Sequence, residues 1–194
     1  GWTKEELNNE LSKYFDEYKS IDYLDILADT YYFENNNNFS QFLNKLKTFK
    51  KTYLREVKDN IFFKKYSNDE LIIIGSLIEK EGLDYLDKKE ISSVIINRLE
   101  KKMKLQIDAT VLYAITDGKY NLNRKLRYKD LKIDNPFNTY VINGLPPKPI
   151  SYVGTKTVEI ILQNYNSDYL FYFYNDSLKK HVFSNNYNEH KKKL

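Results

Sequence analysis

The run Leu71–Ile78, LIIIGSLI, contains no charged side chain. It lies between two helix signals. Ser67-Asn68-Asp69-Glu70 is a capping box, in which a serine hydroxyl and a glutamate three residues on satisfy the free N–H groups of a helix start. Gly82 stands where a left-handed helix stop is expected. The segment between them reads as one helix of about four turns, and a helix apolar on every side belongs inside a core, with the rest of the chain around it. Its last turn carries Glu79 and Glu81. Isolated ionised carboxylates are costly to bury, so such residues are exposed, paired, or kept protonated for a purpose.

The elements expected around this helix are mostly helical. Residues 3–20 place Leu7, Leu11, Tyr14, Phe15 and Tyr18 at three- and four-residue spacings, an amphipathic helix opened by Thr3 and Glu6. An apolar patch follows at Ile21–Phe33, then a low-complexity loop at Asn35–Asn38, then helical periodicity from Phe39 to Phe63. Lys89–Lys102 is a helix with Ile91, Val94, Ile95 and Leu99 on one face. MKLQID, from Met103, alternates like a strand, TVLYAIT reads as a short helix, and Asp117-Gly118 as a turn. NGLPPKPI is a stiff extended bend, Val158–Leu162 a helix, residues 168–184 a strand, turn and returning strand, and Tyr187–Leu194 a last helix. The expected fold class is α+β: an N-terminal helical segment, 1–66, packed on a core, 67–194, of helices with a small antiparallel sheet.

The 194 residues suit one domain, or one with a small appended lobe, and exclude large multidomain schemes. Without cysteine there is no disulfide framework, thiol nucleophile or zinc-thiolate site. A formal charge of +4 is compatible with an anionic polymer, a membrane surface or simple solubility. Nucleic-acid binders carry a stronger, clustered basic stripe, so no nucleic-acid partner is expected. His181 and His190 lack a matching third ligand, so no metal and no cofactor is expected.

On a helix, Glu79 shares its face with Ile72, Gly75, Ser76 and Leu83, and the two small residues leave a depression above its carboxyl group. The alternative is that Gly75-Ser76 admits close packing of a neighbouring helix. Glu81 shares its face with Ile74, Leu77, Ile78 and Tyr85, all bulky, which favours an ion pair or a hydrogen-bonded support. At a pKa of about 4.3, about 0.2% of a glutamate is protonated at pH 7; an apolar hollow that raises it to about 6–7 makes a general acid. Protonation of a glycosidic oxygen is one use of such a group. Glu81 points roughly 200° away from Glu79 and is a poor second carboxylate for it.

Several motifs occur in order. They are Ser76-Leu77-Ile78-Glu79-Lys80-Glu81; Val94-Ile95-Ile96-Asn97-Arg98-Leu99; Met103 to Tyr113; Asn138-Thr139-Tyr140 followed by Gly144 to Ile150; and His181-Val182-Phe183-Ser184 with Glu189-His190. Together they resemble the endolytic murein transglycosylases of the YceG-like family. The departures are a divergent block before Ala28-Asp29-Thr30-Tyr31, Ala109 in place of a proline, Lys148 in place of a glycine, and Lys191 in place of an asparagine.

The resemblance implies a lyase that cleaves the β-1,4 bond between N-acetylmuramic acid and N-acetylglucosamine within glycan strands and leaves 1,6-anhydro ends. It makes Glu79 the catalytic acid and base, with the sugar's own C6 hydroxyl as nucleophile. Ser76, Glu81, Asn97, Arg98, Gln106, Asp108, Asn138 and Tyr140 are the candidate substrate-binding residues; Arg98 alternatively pairs with Asp108. The resemblance also implies peptidoglycan strands and peptidoglycan synthases as partners, and an extracytoplasmic location with a membrane helix before residue 1. The rival readings are a silent glycan-binding or scaffold domain of the same fold, and hydrolysis with Asp108 as a second carboxylate.

Overall fold

The computed structural model describes residues 1–33 and 38–194. Among these it has seven α-helices, α1 (Lys4–Leu11), α2 (Phe39–Glu56), α3 (Asn68–Glu81), α4 (Tyr85–Glu100), α5 (Asp108–Thr116), α6 (Thr155–Leu162) and α7 (Tyr187–Lys193). One antiparallel sheet joins β1 (Phe171–Asn175) to β2 (Lys180–Ser184), in register from Phe171 opposite Ser184 to Asn175 opposite Lys180. The architecture is the expected α+β. Of the expected Asn35–Asn38 loop only Asn38 lies within the described residues, and it caps α2 with a reciprocal bond to Gln41.

Helix α3 is the centre. The capping box at Ser67 and Glu70 is formed, and every residue from Leu71 to Ile78 is buried. Helices α4 and α6 pack against it, and the main core adds Leu27, Leu54 and Phe62 from the N-terminal third. Gly75 and Ser76 do not leave a depression. The extended segment Ile150–Val153 lies there instead: a Cβ on Gly75 would stand 2.6 Å from Val153 Cγ1. The Ile150 amide donates to Ser76 Oγ (3.1 Å), and Ser151 Oγ donates to the Ser76 carbonyl (3.1 Å). Small residues here admit close packing, as the alternative reading expected, but of an irregular segment in place of a neighbouring helix.

A second core gathers Leu11, Phe15, Ile21, Phe42 and Tyr152. Phe15 stacks on Phe33 at 5.6 Å and meets Phe42 at 5.2 Å. This ring packing goes with a shorter first helix than the periodicity suggests: α1 stops at Leu11, and Tyr14 to Tyr18 continue as turns and irregular chain. Helix α2 likewise ends at Glu56, with a separate 3-10 turn at Ile61–Lys64.

Two local expectations are corrected. Gly82 is extended, with φ −81 and ψ 137, not left-handed. It is small because a Cβ would stand 2.3 Å from Lys88 Cγ, so glycine lets α4 carry Lys88 across the end of α3. The MKLQID segment is no strand. Leu105 and Ile107 are buried as alternation requires, but Gln106 sits at φ 52; its amide donates to the Thr139 carbonyl, and the Ile107 amide donates to the Thr139 hydroxyl. The Asp117-Gly118 turn forms as expected, both residues at positive φ.

Because Gly75 faces Val153 at this distance, Gly75→Ala is expected to destabilise the fold by about 1–3 kcal/mol through overpacking. Urea unfolding, read as a lower midpoint with unchanged slope, checks it.

Candidate active site

The two glutamates of α3 lie in opposite electrostatic settings. The Glu79 side chain is 10% exposed and fully engaged. Its Oε1 accepts from Thr157 Oγ1 (2.6 Å) and the Gly154 amide (3.0 Å), and its Oε2 from Lys88 Nζ (2.8 Å). Burial works to raise its pKa, but the bonds from Lys88, Thr157 and Gly154 outweigh it and hold the carboxyl at about 2. The expectation of a raised pKa at Glu79 is therefore overturned. The hollow it required is filled, and the group is an ionised clasp joining α3 to α4 and α6.

Glu81 is the carboxyl with a raised pKa. Burial is the main cause, and the Asp108 carboxylate adds to it; donation from Tyr172, donation from the Ala109 amide and the His181 ring act the other way. Tyr172 on β1 donates its hydroxyl to Glu81 Oε2 at 3.1 Å. The ring of Tyr172 meets His181 on β2 edge-on at 5.4 Å. His181 Nδ1 lies 2.9 Å from Asp87 Oδ2, and both side chains are buried, at 7% and 10% exposure. That bond orients the imidazole. Asp87 also accepts from the Leu83 amide (2.9 Å), which secures the link after α3.

Helix α5 brings the next groups. It has no side-chain cap at its start, so the Ala109 amide is free for Glu81, a donor that proline at this position lacks. Asp108, the first residue of α5, is exposed and accepts from Tyr140 Oη at 2.6 Å. Burial, and next the bond to Asp108, push the Tyr140 phenol up. A groove of about 810 Å³ includes Asp108, Ala109 and Lys80 in its lining and extends over Leu112 and Tyr113 towards α1. Gln106 is exposed beside this group. A non-glycine residue at positive φ is uncommon, and such strain concentrates at functional sites.

Of the expected site residues, Glu81, Asp108 and Tyr140 come together, with Gln106 adjacent in the chain. The other four are corrected to structural roles. Ser76 is wholly buried and bonded to Ile73 and Ile150. Asn97 spends its amide on the carbonyls of Ser167 (2.7 Å) and Tyr169 (2.9 Å). Arg98 is buried and donates to the carbonyls of Leu170 (2.6 Å) and Leu105 (2.6 Å), not to Asp108. Asn138 is buried, donates to the Leu131 and Ile133 carbonyls and accepts from the Tyr140 amide. Tyr172 and Asp87 lie outside the motifs quoted from the sequence, and His181 lies within one of them. The aromatic strand hid Tyr172, and Asp87 lies in no recurring motif.

This is an α+β protein in which a carboxyl of raised pKa, at the end of a buried helix, lies among tyrosines, a histidine and a second carboxylate. The chain belongs to the YceG-like family, whose sequence model matches residues 1–194. It is similar to an endolytic murein transglycosylase of Bacillus subtilis, 44% identical over 141 residues, covering 73% of this chain and 37% of that protein. It is also similar to the endolytic murein transglycosylase of Streptococcus pneumoniae serotype 2, 35% identical over 125 residues, covering 63% of this chain and 22% of that protein. A crystal structure of a YceG-like protein from Listeria monocytogenes superposes with a TM-score of 0.74 at 36% identity, covering 88% of this chain and 54% of that one. The chain thus spans well under half the length of these curated relatives.

The Glu79 clasp has a pH signature. A folded-state pKa of about 2 against an ordinary 4.5 means its stabilisation is complete above about pH 4.5 and is lost as pH falls towards 2. The contribution is on the order of 3 kcal/mol. Glu79→Gln is expected to lower stability at pH 7 and to flatten the dependence between pH 5 and 2, measured by urea unfolding across that range.

Proposed function

We propose that the chain is the catalytic region of an endolytic murein transglycosylase in which Glu81, in place of the expected Glu79, is the single acid and base. The observation that carries this is the contrast between the two carboxyls. Glu79 is tied down as an anion by Lys88, Thr157 and Gly154, whereas burial holds Glu81 up towards its protonated form beside groups from α5, β1 and the Tyr140 loop. A general acid needs a proton at working pH, which Glu81 is placed to hold and Glu79 is not.

The reaction follows from one such group. Protonated Glu81 gives its proton to the oxygen bridging N-acetylmuramic acid C1 and the next N-acetylglucosamine, and that C1–O bond breaks. The carboxylate left behind takes the proton of the muramic C6 hydroxyl as its oxygen bonds to C1, so the product is a 1,6-anhydro end and no water is consumed. The attacking oxygen belongs to the substrate, which gains the rate advantage of an intramolecular reaction. Tyr172 fixes the Glu81 carboxyl, and the Asp87–His181 pair positions Tyr172 from behind. Asp108, Tyr140 and Gln106 are offered to sugar hydroxyls and N-acetyl groups. The names of the Bacillus and Streptococcus relatives support murein as the substrate. On that reading the enzyme works outside the cytoplasm, held by an anchor outside this chain and alongside peptidoglycan synthases; among the described residues no helix is long and apolar enough to cross a membrane.

Digestion of isolated sacculi, with muropeptides separated by mass, tests the proposal. Glu81→Gln is expected to reduce anhydro-muropeptide release at least about 100-fold with little change in melting temperature. Glu79→Gln is expected to cost stability while retaining activity in the folded fraction. Reducing ends in place of anhydro ends would assign hydrolysis with Asp108, and pull-down of glycan without cleavage would assign a binding domain.

The donors to Glu81 set its pH range. Removing one raises its pKa, so Tyr172→Phe is expected to move the alkaline limb of the pH–rate profile to higher pH. Ala109→Pro, tolerated in the first turn of a helix, is expected to move it in the same direction.

A further inference from the structure

Helix α2 presents a basic face that the Glu81 site does not use. Lys47, Lys51 and Arg55 are spaced by four residues and form one row on one side of α2. With Lys50, and Lys58 from the turn after α2, they line an open cavity of about 580 Å³ whose apolar wall is made by Leu54 and Phe63. Like charges four apart on a helix repel by about 0.2–0.5 kcal/mol per pair, and only Arg55, in the last turn, is favoured by the helix dipole. Local acids neutralise little of it. Lys47 pairs with Asp25 at 3.0 Å, and Lys50 turns its ammonium onto the Leu24 carbonyl. Asp69 is the acid that most offsets the charge at Lys50, and Asp25 and Asp22 act after it. Among the described residues no carboxylate lies within ion-pair distance of Lys51, Arg55 or Lys58. Lys50 is partly buried, and burial pushes its pKa down, the mark of an ammonium short of solvent.

We propose that this cavity binds a phosphate-bearing anion of the diphosphate class. Three cations without partners, with two more at the wall, exceed what a single carboxylate requires. An arginine fork beside lysine point charges matches phosphate oxygens, which take bidentate and single bonds together. The volume leaves room for a group esterified to the phosphates, and the Leu54 and Phe63 wall shields the charges from solvent on one side, which strengthens each contact. The source is a soluble diphosphate ester or the headgroup of a diphosphate-bearing lipid, which share this chemistry.

Binding of inorganic pyrophosphate to the chain, measured by calorimetry at low salt with sulfate and citrate as controls, tests the site. The expected result is pyrophosphate binding at least 10-fold tighter than sulfate or citrate, weakening with salt, with a rise in melting temperature. Lys51→Ala with Arg55→Ala, both exposed and outside the Glu81 site, is expected to weaken it at least 10-fold while leaving the unliganded melting temperature unchanged. Co-sedimentation with phosphatidylcholine vesicles carrying a diphosphate lipid, against phosphatidylcholine alone, then assigns the source. Loss of vesicle binding in the same double variant identifies a lipid headgroup, and absence of vesicle binding with pyrophosphate binding intact identifies a soluble ester. No pyrophosphate binding, equal binding of citrate, or binding that survives the double substitution overturns the proposal.

Discussion

Burying α3 on every side is the constraint from which the rest follows. Its apolar body is complete before Glu79, so its final turn must bring two carboxyls to the edge of a dry core. Each needs either partners or a proton. Two residues along a helix is about 200° of rotation, so the two groups meet different surroundings. On one side α4 and α6 supply Lys88, Thr157 and an amide, enough to keep an anion. On the other, burial and the field of a second carboxylate raise the pKa of Glu81, with a tyrosine hydroxyl acting against them.

The polar residues of the recurring motifs divide by the same accounting. The chain around the site is largely irregular from Met103 to Ile107 and from Ile133 to Val153. Buried backbone carbonyls in such segments lack the ladders of helices and sheets and need donors from elsewhere. Arg98, Asn97 and Asn138 supply them to the carbonyls of Leu105, Tyr169 and Ile133, and Asn138 also accepts from the Tyr140 amide. These residues act on the site by fixing its walls. Asp108 and Tyr140, by contrast, bond to each other at the surface and keep open hydrogen-bonding capacity.

Most of the elements were legible because their signals are local. The capping boxes at Thr3 and Ser67, the apolar run of α3, and the aromatic strand, turn and strand at residues 171–184 depend on neighbours in the chain. Where the reading failed, a distant contact decided. Alternation in MKLQID reflected burial of Leu105 and Ile107 without a pairing partner. Gly82 answered to Lys88 and Gly75 to Val153, where local rules suggest a helix stop and a hollow. The site was legible as a set of motifs, but Tyr172 was hidden among tyrosines, and His181 acquires meaning only with Asp87 beside it.

The sequence by itself determined that a charge-free helix would be central, that it would end in two glutamates, and that the chain would be α+β around it, because capping, periodicity and turn chemistry act over a few residues. It could not decide which glutamate has its pKa raised and which has it lowered. That depends on the field at each carboxyl, which is set by groups separated by tens of residues: Lys88, Gly154 and Thr157 at one, Asp108, Tyr172 and His181 at the other. Only the tertiary structure brings those groups within the few ångströms over which desolvation and hydrogen bonding shift a pKa.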